Sequence, residues 1–89
     1  MTSVVAAHAV GDMEKWLSGG DERKALFESF CSGYRIFKHP SKNQVCIVFG
    51  DVDLEKMQAV MTAPETAARK AAHTVIDPIE IYVEVDGAT

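Results

Sequence analysis

Hydrophobic and polar positions change period several times along the chain, and these changes predict alternating strands and helices. The apolar run at residues 3–10 is long enough for a strand and too short for a stable helix. Apolar residues then recur at helical spacing after an N-cap at Asp12, and again after Asp21, with two glycines between the pieces. We expect both pieces to form one crossover helix, whose second apolar stripe contains Leu26, Phe27, Phe30 and Cys31.

Three further runs have the alternation that is typical of strands. Residues 34–38 and 44–49 flank a turn-forming segment at 39–43, and this arrangement predicts a β-hairpin in which Tyr34 and Ile36 share a face. Residues 79–85 alternate between apolar and polar side chains and predict the last strand. Its face of carboxylates suits the edge of a sheet or a salt-bridged contact with a partner.

A second helix is predicted between the hairpin and the last strand. Asp53 is its expected N-cap, and the apolar positions that follow at helical spacing are Leu54, Met57, Val60 and Met61. Pro64 predicts a break, and Thr62 with Glu65 resembles a capping box for a renewed helix. We expect that helix to end near Val75, with a stop at the Asp-Pro pair that follows.

The order strand, helix, strand, strand, helix, strand predicts a ferredoxin-like α+β domain, in which a four-stranded antiparallel sheet carries both helices on one face. The 89 residues fit a single domain that spans residues 1–89. Strands one and three have apolar residues on both sides, namely Val5, Ala7, Ala9, Cys46, Val48 and Phe49. Because so small a chain gains stability when its uncovered sheet face is buried, we expect a homodimer.

Composition and charge exclude several classes of partner. Nine Lys and Arg residues stand against 13 Asp and Glu residues, and the net charge of -4 gives no positive surface for a nucleic acid. The first ten residues lack the positively charged start of a secretory signal, and no apolar stretch reaches the roughly 18 residues of a membrane span. We therefore expect a cytoplasmic protein that binds neither nucleic acid nor a membrane.

The two cysteines, Cys31 and Cys46, lack the spacing of a metal clamp and the density of a disulfide framework. We expect both thiols to be reduced and largely buried, where a thiol behaves as a small hydrophobe. No paired His ligands, Gly-rich phosphate loop or nucleophile elbow occurs in the sequence. The sequence therefore predicts neither a metal site nor a cofactor.

A chain with this length and order of elements resembles the dimeric α+β barrel group, which includes the antibiotic-biosynthesis monooxygenase-like proteins. The resemblance covers the whole chain and rests on topology and size, without a diagnostic motif. It implies that two sheets pack across a twofold axis and that ligands lie between the sheet and the helices of each subunit. The same fold hosts unrelated functions, so it supports a function only weakly.

His8 is the main candidate for chemistry, because a His on a strand that faces a pocket could act as a base or a ligand. It shares its strand face with the apolar residues Val4, Ala6 and Val10. The competing interpretation is a hydrogen-bonded structural or pocket-lining residue. Trp16 and Tyr34 are further candidates for binding a substrate and rank below His8. Core packing is the favoured interpretation of Trp16, and a strand tyrosine commonly packs with its hydroxyl in water.

His73 lies in the segment KAAHTV, which is similar to the second-helix segment where heme-degrading members of the group place their iron-binding His. Those members also use a Trp on the second helix and an Asn on the first strand, whereas this chain has His8 on the first strand and no Trp near Met57. Helical geometry places His73 opposite the alanine face formed by Ala67, Ala68, Ala71 and Ala72. We expect His73 to face solvent if the alanine face packs on the core, and heme binding is the less favoured alternative.

Two classes of function remain open. The first is binding of a small, largely apolar molecule in a cleft near His8, Trp16 and Tyr34, with cofactor-free monooxygenase or isomerase-like chemistry as one outcome. The second is a non-catalytic interaction or regulatory module that uses the dimer or its edge strands. An open cavity near His8 favours the first class, and an interior filled by Met57, Met61, Phe27 and Phe30 favours the second.

Overall fold

The structure, a computed structural model, describes residues 2–85 of the chain. Its elements are β1 (Val4–Val10), α1 (Met13–Ser18), α2 (Gly20–Glu28), β2 (Gly33–Lys38), β3 (Gln44–Gly50), α3 (Leu54–Thr62), α4 (Pro64–Ala72) and β4 (Val75–Val83). The strands form one sheet in the order β2-β3-β1-β4, and every neighbouring pair is antiparallel. This order confirms the predicted ferredoxin-like α+β fold. Among the described residues, no helix is long and apolar enough to cross a membrane.

The helices cover one face of the sheet, and the hydrophobic core lies between the two layers. Alternate residues of β1 and β3 are buried there, namely Val4, Ala6, His8, Val10, Val45, Ile47 and Phe49. From the helical side, Trp16, Phe27 and Met57 pack against these strands. Burial of such large apolar side chains is the main favourable contribution to folding, so this face of β1 and β3 is the centre of the molecule.

None of the helices in residues 2–85 covers the opposite face of the sheet, which we call the open sheet face. The side chains that the registers place on it include Val5, Ala7, Ala9, Arg35, Phe37, Cys46, Val48, Glu80 and Tyr82. Phe37 is 45% exposed and Tyr82 is 57% exposed. The predicted apolar character of β1 and β3 on both sides is therefore present, and large apolar surface is left in contact with solvent.

Each predicted crossover helix consists of two shorter helices. Asp12 and Asp53 cap the first helix of each pair, as predicted. The Oδ1 atom of each accepts a hydrogen bond, at 3.1 Å, from the backbone N–H of the residue three positions later in the sequence. Gly19 separates α1 from α2. Helix α2 ends at Glu28, so Phe30 is buried in the turn that follows the helix and not in the predicted helical stripe.

Pro64 begins α4, where its missing N–H would have no helical partner in any case. The predicted break is thus confirmed, but the predicted capping box is wrong. The N-cap is Ala63, and no side chain within residues 2–85 caps the helix. Thr62 has no role at this end because its Oγ1 donates to the carbonyl of Gln58, 2.8 Å away within α3.

Helix α4 ends at Ala72, three residues before the predicted end. Thr74 follows with a φ of 59°, the left-handed conformation that commonly terminates a helix. This conformation is unfavourable for a β-branched residue, and Thr74 has compensating bonds. Its Oγ1 accepts the N–H of Asp12 at 2.9 Å, and its carbonyl accepts the N–H of Gly11 at 2.8 Å. The turn after α4 is therefore hydrogen-bonded to the turn after β1.

Strand β4 begins at Val75 and runs through Pro78, whereas the sequence predicted a strand that starts only at Ile79. A proline lacks the N–H that a central strand would need, but β4 is an edge strand. The pairing with β1 also shifts register between Ala7 and Ala9, next to the proline. The bulge and the edge position together explain why the Asp-Pro pair does not stop the strand.

Candidate functional site

A cavity of about 70 Å³ lies between the sheet and the helices, and we call it the sheet–helix cavity. Its floor is formed by buried side chains of β1 and β3, namely Ala6, His8, Ile47 and Phe49. Its buried walls come from the helices and consist of Trp16, Arg23, Phe27 and Thr66. The lining residues that reach solvent include Glu22 on α2 and Arg69 on α4, so the mouth lies between these two helices.

His8 lies on the cavity floor and is 9% exposed. Its Nδ1 is 2.9 Å from the carbonyl oxygen of Ala9, and because a carbonyl can only accept, Nδ1 donates and carries the proton. Burial lowers the pKa of His8 against the raising effect of this bond, and the nearby charge of Arg23 lowers it further. The imidazole is therefore neutral near pH 7, with a free lone pair on Nε2 that can accept a proton.

Trp16 forms the wall between His8 and Arg23. Its ring lies edge-on to the imidazole of His8, with centroids 5.9 Å apart and planes at 67°. The guanidinium carbon of Arg23 lies 3.7 Å from the centroid of the indole, and Arg23 Nη2 donates to the Trp16 carbonyl. Burial lowers the pKa of Arg23, which the nearby Tyr34 opposes, but a guanidinium stays charged in proteins. One indole thus contacts both a candidate base and a buried cation.

Tyr34 does not line the sheet–helix cavity. Its ring packs edge-on against Phe27 with centroids 5.2 Å apart, and lies 6.4 Å from the ring of Phe49. Both of these phenylalanines line the cavity. Tyr34 therefore lies behind the cavity wall, while His8 and Trp16 are brought together in it.

Helix α4 presents the opposite face from the one that the sequence predicts. Its alanine face is exposed, whereas Thr66 is buried and the side chain of His73 is only 17% exposed. The expectation that His73 faces solvent is wrong, because its Nε2 lies 3.4 Å from Glu22 Oε2 at the mouth of the cavity. The inner face of α4 supplies polar side chains to the cavity and does not pack on a dry core, so it has no need for an apolar stripe.

Sequence reasoning missed the polar part of the cavity. Arg23 lies four residues before the buried Phe27, on the same face of α2. On α4, the cavity residues Thr66, Lys70 and His73 follow one another at spacings of four and three. A polar stripe at helical spacing opposite an apolar one was the signal that could have found them.

A metal or heme site is not supported by the geometry of the described residues. No group of three or more His, Cys, Asp or Glu side chains in residues 2–85 is arranged to hold a metal ion. Heme does not fit the sheet–helix cavity, whose volume is far below the roughly 300–1,000 Å³ of sites for larger ligands. The Nε2 atom of His73 is also directed at Glu22.

Neither cysteine lines the sheet–helix cavity. Both are free thiols, as predicted. Cys31 is partly buried, and burial raises its pKa. Its Sγ donates to the Phe27 carbonyl at 3.1 Å. The protonated form is therefore favoured, which makes Cys31 a poor nucleophile.

No protein-family model and no curated protein matches this chain. Solved structures do match it over nearly its whole length. The cofactor-independent oxygenase SnoaB from Streptomyces nogalater has a TM-score of 0.65 and 13% identity, over 99% of this chain and 93% of that one. An antibiotic biosynthesis monooxygenase has a TM-score of 0.62 and 10% identity, over 99% and 100% of the two chains. A nipsnap family protein with unknown function from Agrobacterium tumefaciens has a TM-score of 0.65 and 14% identity, over 94% and 86%.

These similarities confirm the resemblance that the length and order of the elements indicated. The chain has the ferredoxin-like α+β fold of the antibiotic-biosynthesis monooxygenase-like proteins. Identities of 10–14% among these structures define the fold and not the activity. Any statement about chemistry must therefore come from the residues of the sheet–helix cavity.

Proposed function

We propose that the protein is a homodimer in which each subunit binds a small, largely apolar molecule in the sheet–helix cavity. The observation that carries this proposal is the open space beside His8, which is bounded by the rings of Trp16, Phe27 and Phe49. Pockets of this kind, apolar with a few converging polar groups, are the usual form of small-molecule sites. The cavity is smaller than the roughly 150 Å³ that encloses a benzene ring, so we limit the ligand to a single ring that lies partly in the mouth between α2 and α4.

The neutral imidazole of His8 supports a role as a general base. Nε2 can take a proton from an acidic C–H or O–H group of the ligand, leaving the ligand as an anion. Returning that proton to a different carbon is isomerisation, and reaction of the carbanion with dioxygen is the route open to a monooxygenase without a cofactor. The likeness in fold to a cofactor-independent oxygenase agrees with this chemistry without deciding between the two outcomes.

The open sheet face supports a second copy of the chain as partner. It carries the exposed side chains Phe37 and Tyr82 around the half-buried Val48. A small protein gains stability when such an apolar surface is buried. Charges on this face are separated, with Arg35 on the edge strand β2 and Glu80 on the edge strand β4. A twofold axis parallel to the strands would set the β2 edge of each subunit over the β4 edge of the other, so the two charges would complement each other.

The alternative from the sequence is a non-catalytic interaction module. The sequence favours this alternative if Met57, Met61, Phe27 and Phe30 fill the interior. In the structure, only Phe27 and Met61 border the cavity, and the cavity has free volume. This observation favours ligand binding. The cytoplasmic location and the absence of nucleic-acid and membrane partners stay predictions from the sequence.

Native mass spectrometry of the purified full chain tests the proposal, because one spectrum reports both the number of subunits and any retained small molecule. We expect a dimer, with an additional mass that is lost under denaturing conditions. A stable monomer at micromolar concentration would contradict the homodimer. If the dimer carries no extra mass, a library of neutral and charged single-ring fragments is screened by the NMR signal of the Trp16 indole, and a library without a single binder would contradict ligand binding.

A further inference from the structure

Arg23 is a buried cation that has no carboxylate partner among the described residues. The residue is 6% exposed, and no Asp or Glu oxygen within residues 2–85 lies in ion-pair range of its guanidinium. Within that part of the chain the guanidinium makes one hydrogen bond, from Nη2 to the Trp16 carbonyl, which leaves most of its N–H donors unused. A buried charge without a partner is costly, so such residues are retained where something else supplies the opposite charge.

The unused donors of Arg23 are not completely enclosed by the protein. Within residues 2–85 no fully enclosed side-chain nitrogen or oxygen lacks a hydrogen-bond partner. The free nitrogens of Arg23 must therefore reach accessible space, and this residue lines the sheet–helix cavity. A planar guanidinium with parallel N–H groups matches the two oxygens of a carboxylate or a single anionic oxygen.

The other charged residues that line the cavity also favour an anionic ligand. The lining contains three permanent cations, Arg23, Arg69 and Lys70, against one carboxylate, Glu22. Lys70 is already paired with Asp77 at 3.3 Å, which leaves the two arginines without a carboxylate among the described residues. The whole chain has a net charge of -4, so the net positive charge of this lining is opposite in sign to that of the molecule. A positive cavity in an acidic protein attracts anions.

Structural roles account for the position of Arg23 but not for its charge. Its guanidinium stacks on Trp16 and bonds to a carbonyl in the last turn of α1. Neither contact neutralises a positive charge. The same indole touches His8, so an anion held by Arg23 lies in the cavity that the candidate base also faces.

From this arrangement we infer that the ligand of the sheet–helix cavity carries an anionic oxygen, either a carboxylate or an enolate-type oxygen, which pairs with Arg23. The rest of the ligand is a small apolar body against Trp16 and Phe27. The inference rests on the proposed ligand-binding function and adds the chemical class of the ligand.

A titration of the full chain with three single-ring probes tests the inference. Benzoate presents a carboxylate, para-nitrophenolate presents a single anionic oxygen, and benzamide has the size of benzoate without its charge. Trp16 is the single tryptophan, so its indole N–H gives one unambiguous signal in proton–nitrogen NMR spectra. We expect at least one of the two anions to shift that signal with a Kd at least about tenfold lower than that of benzamide. The stronger of the two tells which oxygen type is preferred.

Three variants locate the effect. Arg23→Gln should bring the anions to the affinity of benzamide, whereas Arg23→Lys keeps a charge without the planar fork and should retain part of the preference. Lys24→Gln is the matched control, because Lys24 is an exposed cation on the same helix that does not line the cavity, and it should behave as the wild type. If Arg23→Gln does not fold, the wild type and Arg23→Lys still decide the matter.

Two results would overturn the inference. Benzamide binding as tightly as both anions in the wild type would refute anion selection while leaving ligand binding intact. A preference for anions that survives in Arg23→Gln would assign the selection to another residue. If no probe and no neutral fragment moves the Trp16 signal, the proposed function itself fails, and that outcome is distinct from the first two.

Discussion

The imidazole of His73 lies directly against the backbone of Gly19, and a Cβ atom on that glycine would meet His73 Cε1 at 2.5 Å. This contact joins the end of α4 to the junction between α1 and α2. It also sets His73 Nε2 3.4 Å from Glu22 Oε2, across the mouth of the sheet–helix cavity. The missing side chain at position 19 is therefore what allows α2 and α4 to approach at the mouth.

Gly19→Ala should displace the His73 ring and loosen its contact with Glu22. Since the atom in the way belongs to a side chain that can rotate, we expect a loss of about 1 kcal/mol in the free energy of unfolding. Gly20→Ala is the matched control, because a Cβ there meets nothing within 4 Å, and it should be neutral or stabilising by up to about 1 kcal/mol. Urea unfolding followed by Trp16 fluorescence measures both. Equal stabilities of the two variants, with unchanged His73 ring signals, would contradict this packing.

His8 should make stability depend on pH in the acid range. Burial lowers its pKa in the folded protein, so below about pH 6.5 the unfolded chain binds a proton more readily than the folded one. The contribution of neutral His8 is fully present above that pH and is lost as the pH falls towards the lowered folded pKa. His8→Gln should flatten this part of the curve in denaturant titrations at several pH values. A midpoint at or above the ordinary value for His8 in an NMR titration would disprove the expected burial effect.

Local patterns predicted the fold because most elements follow local rules. Burial alternates along β1 as its apolar pattern indicates, and the N-caps at Asp12 and Asp53 form the expected bonds. The face of α4 could not be predicted in the same way. Apolar periodicity assumes that the inner face of a helix meets a dry core, but here Thr66 and His73 line a cavity and the alanines are exposed. The predicted start of β4 was wrong for a different reason. Pro78 is acceptable within the strand only because β4 lies at the edge of the sheet.

The same limit applies to the site. His8 and Trp16 could be named because an aromatic ring and a His are conspicuous in apolar segments, and they do meet in space. Arg23 was not predicted, because its burial depends on α2 facing α4 over the sheet. Tyr34 was predicted near the ligand from its residue type alone, and the packing of Phe27 separates it from the cavity.

The N-cap of α3 should contribute measurably to stability. Asp53 Oδ1 accepts the N–H of Lys56, which would otherwise lack a partner in the first turn. Asp53→Ala should lower the free energy of unfolding by about 1 kcal/mol, and Asp53→Asn, which retains an acceptor, should lose much less. Thermal and urea unfolding of both variants check this. Equal losses in the two would show that the carboxylate charge, and not the hydrogen bond, stabilises the helix end.

The proposed homodimer makes Val48 the most sensitive position of the open sheet face. Val48 lies on a central strand, half-buried, with Val5 and Arg35 as its cross-strand neighbours. A carboxylate there is tolerated in a monomer, whose open sheet face is wet, but would be buried between two sheets. Its neighbour Arg35 could pair with it only by leaving Glu80 of the second copy, so one buried carboxylate would lack a partner. We expect Val48→Glu to raise the dimer Kd at least about a hundredfold, as measured by sedimentation velocity over a range of concentrations.

Leu17→Glu is the control for this variant. Leu17 is 54% exposed on α1, on the helical side of the sheet, so the same charge change there should leave the dimer intact. Because dimerisation stabilises the folded chain, the unfolding midpoint of the wild type and of Leu17→Glu should rise with protein concentration, and that of Val48→Glu should not. A dimer that survives Val48→Glu but dissociates with Leu17→Glu would move the interface from the open sheet face to the helices.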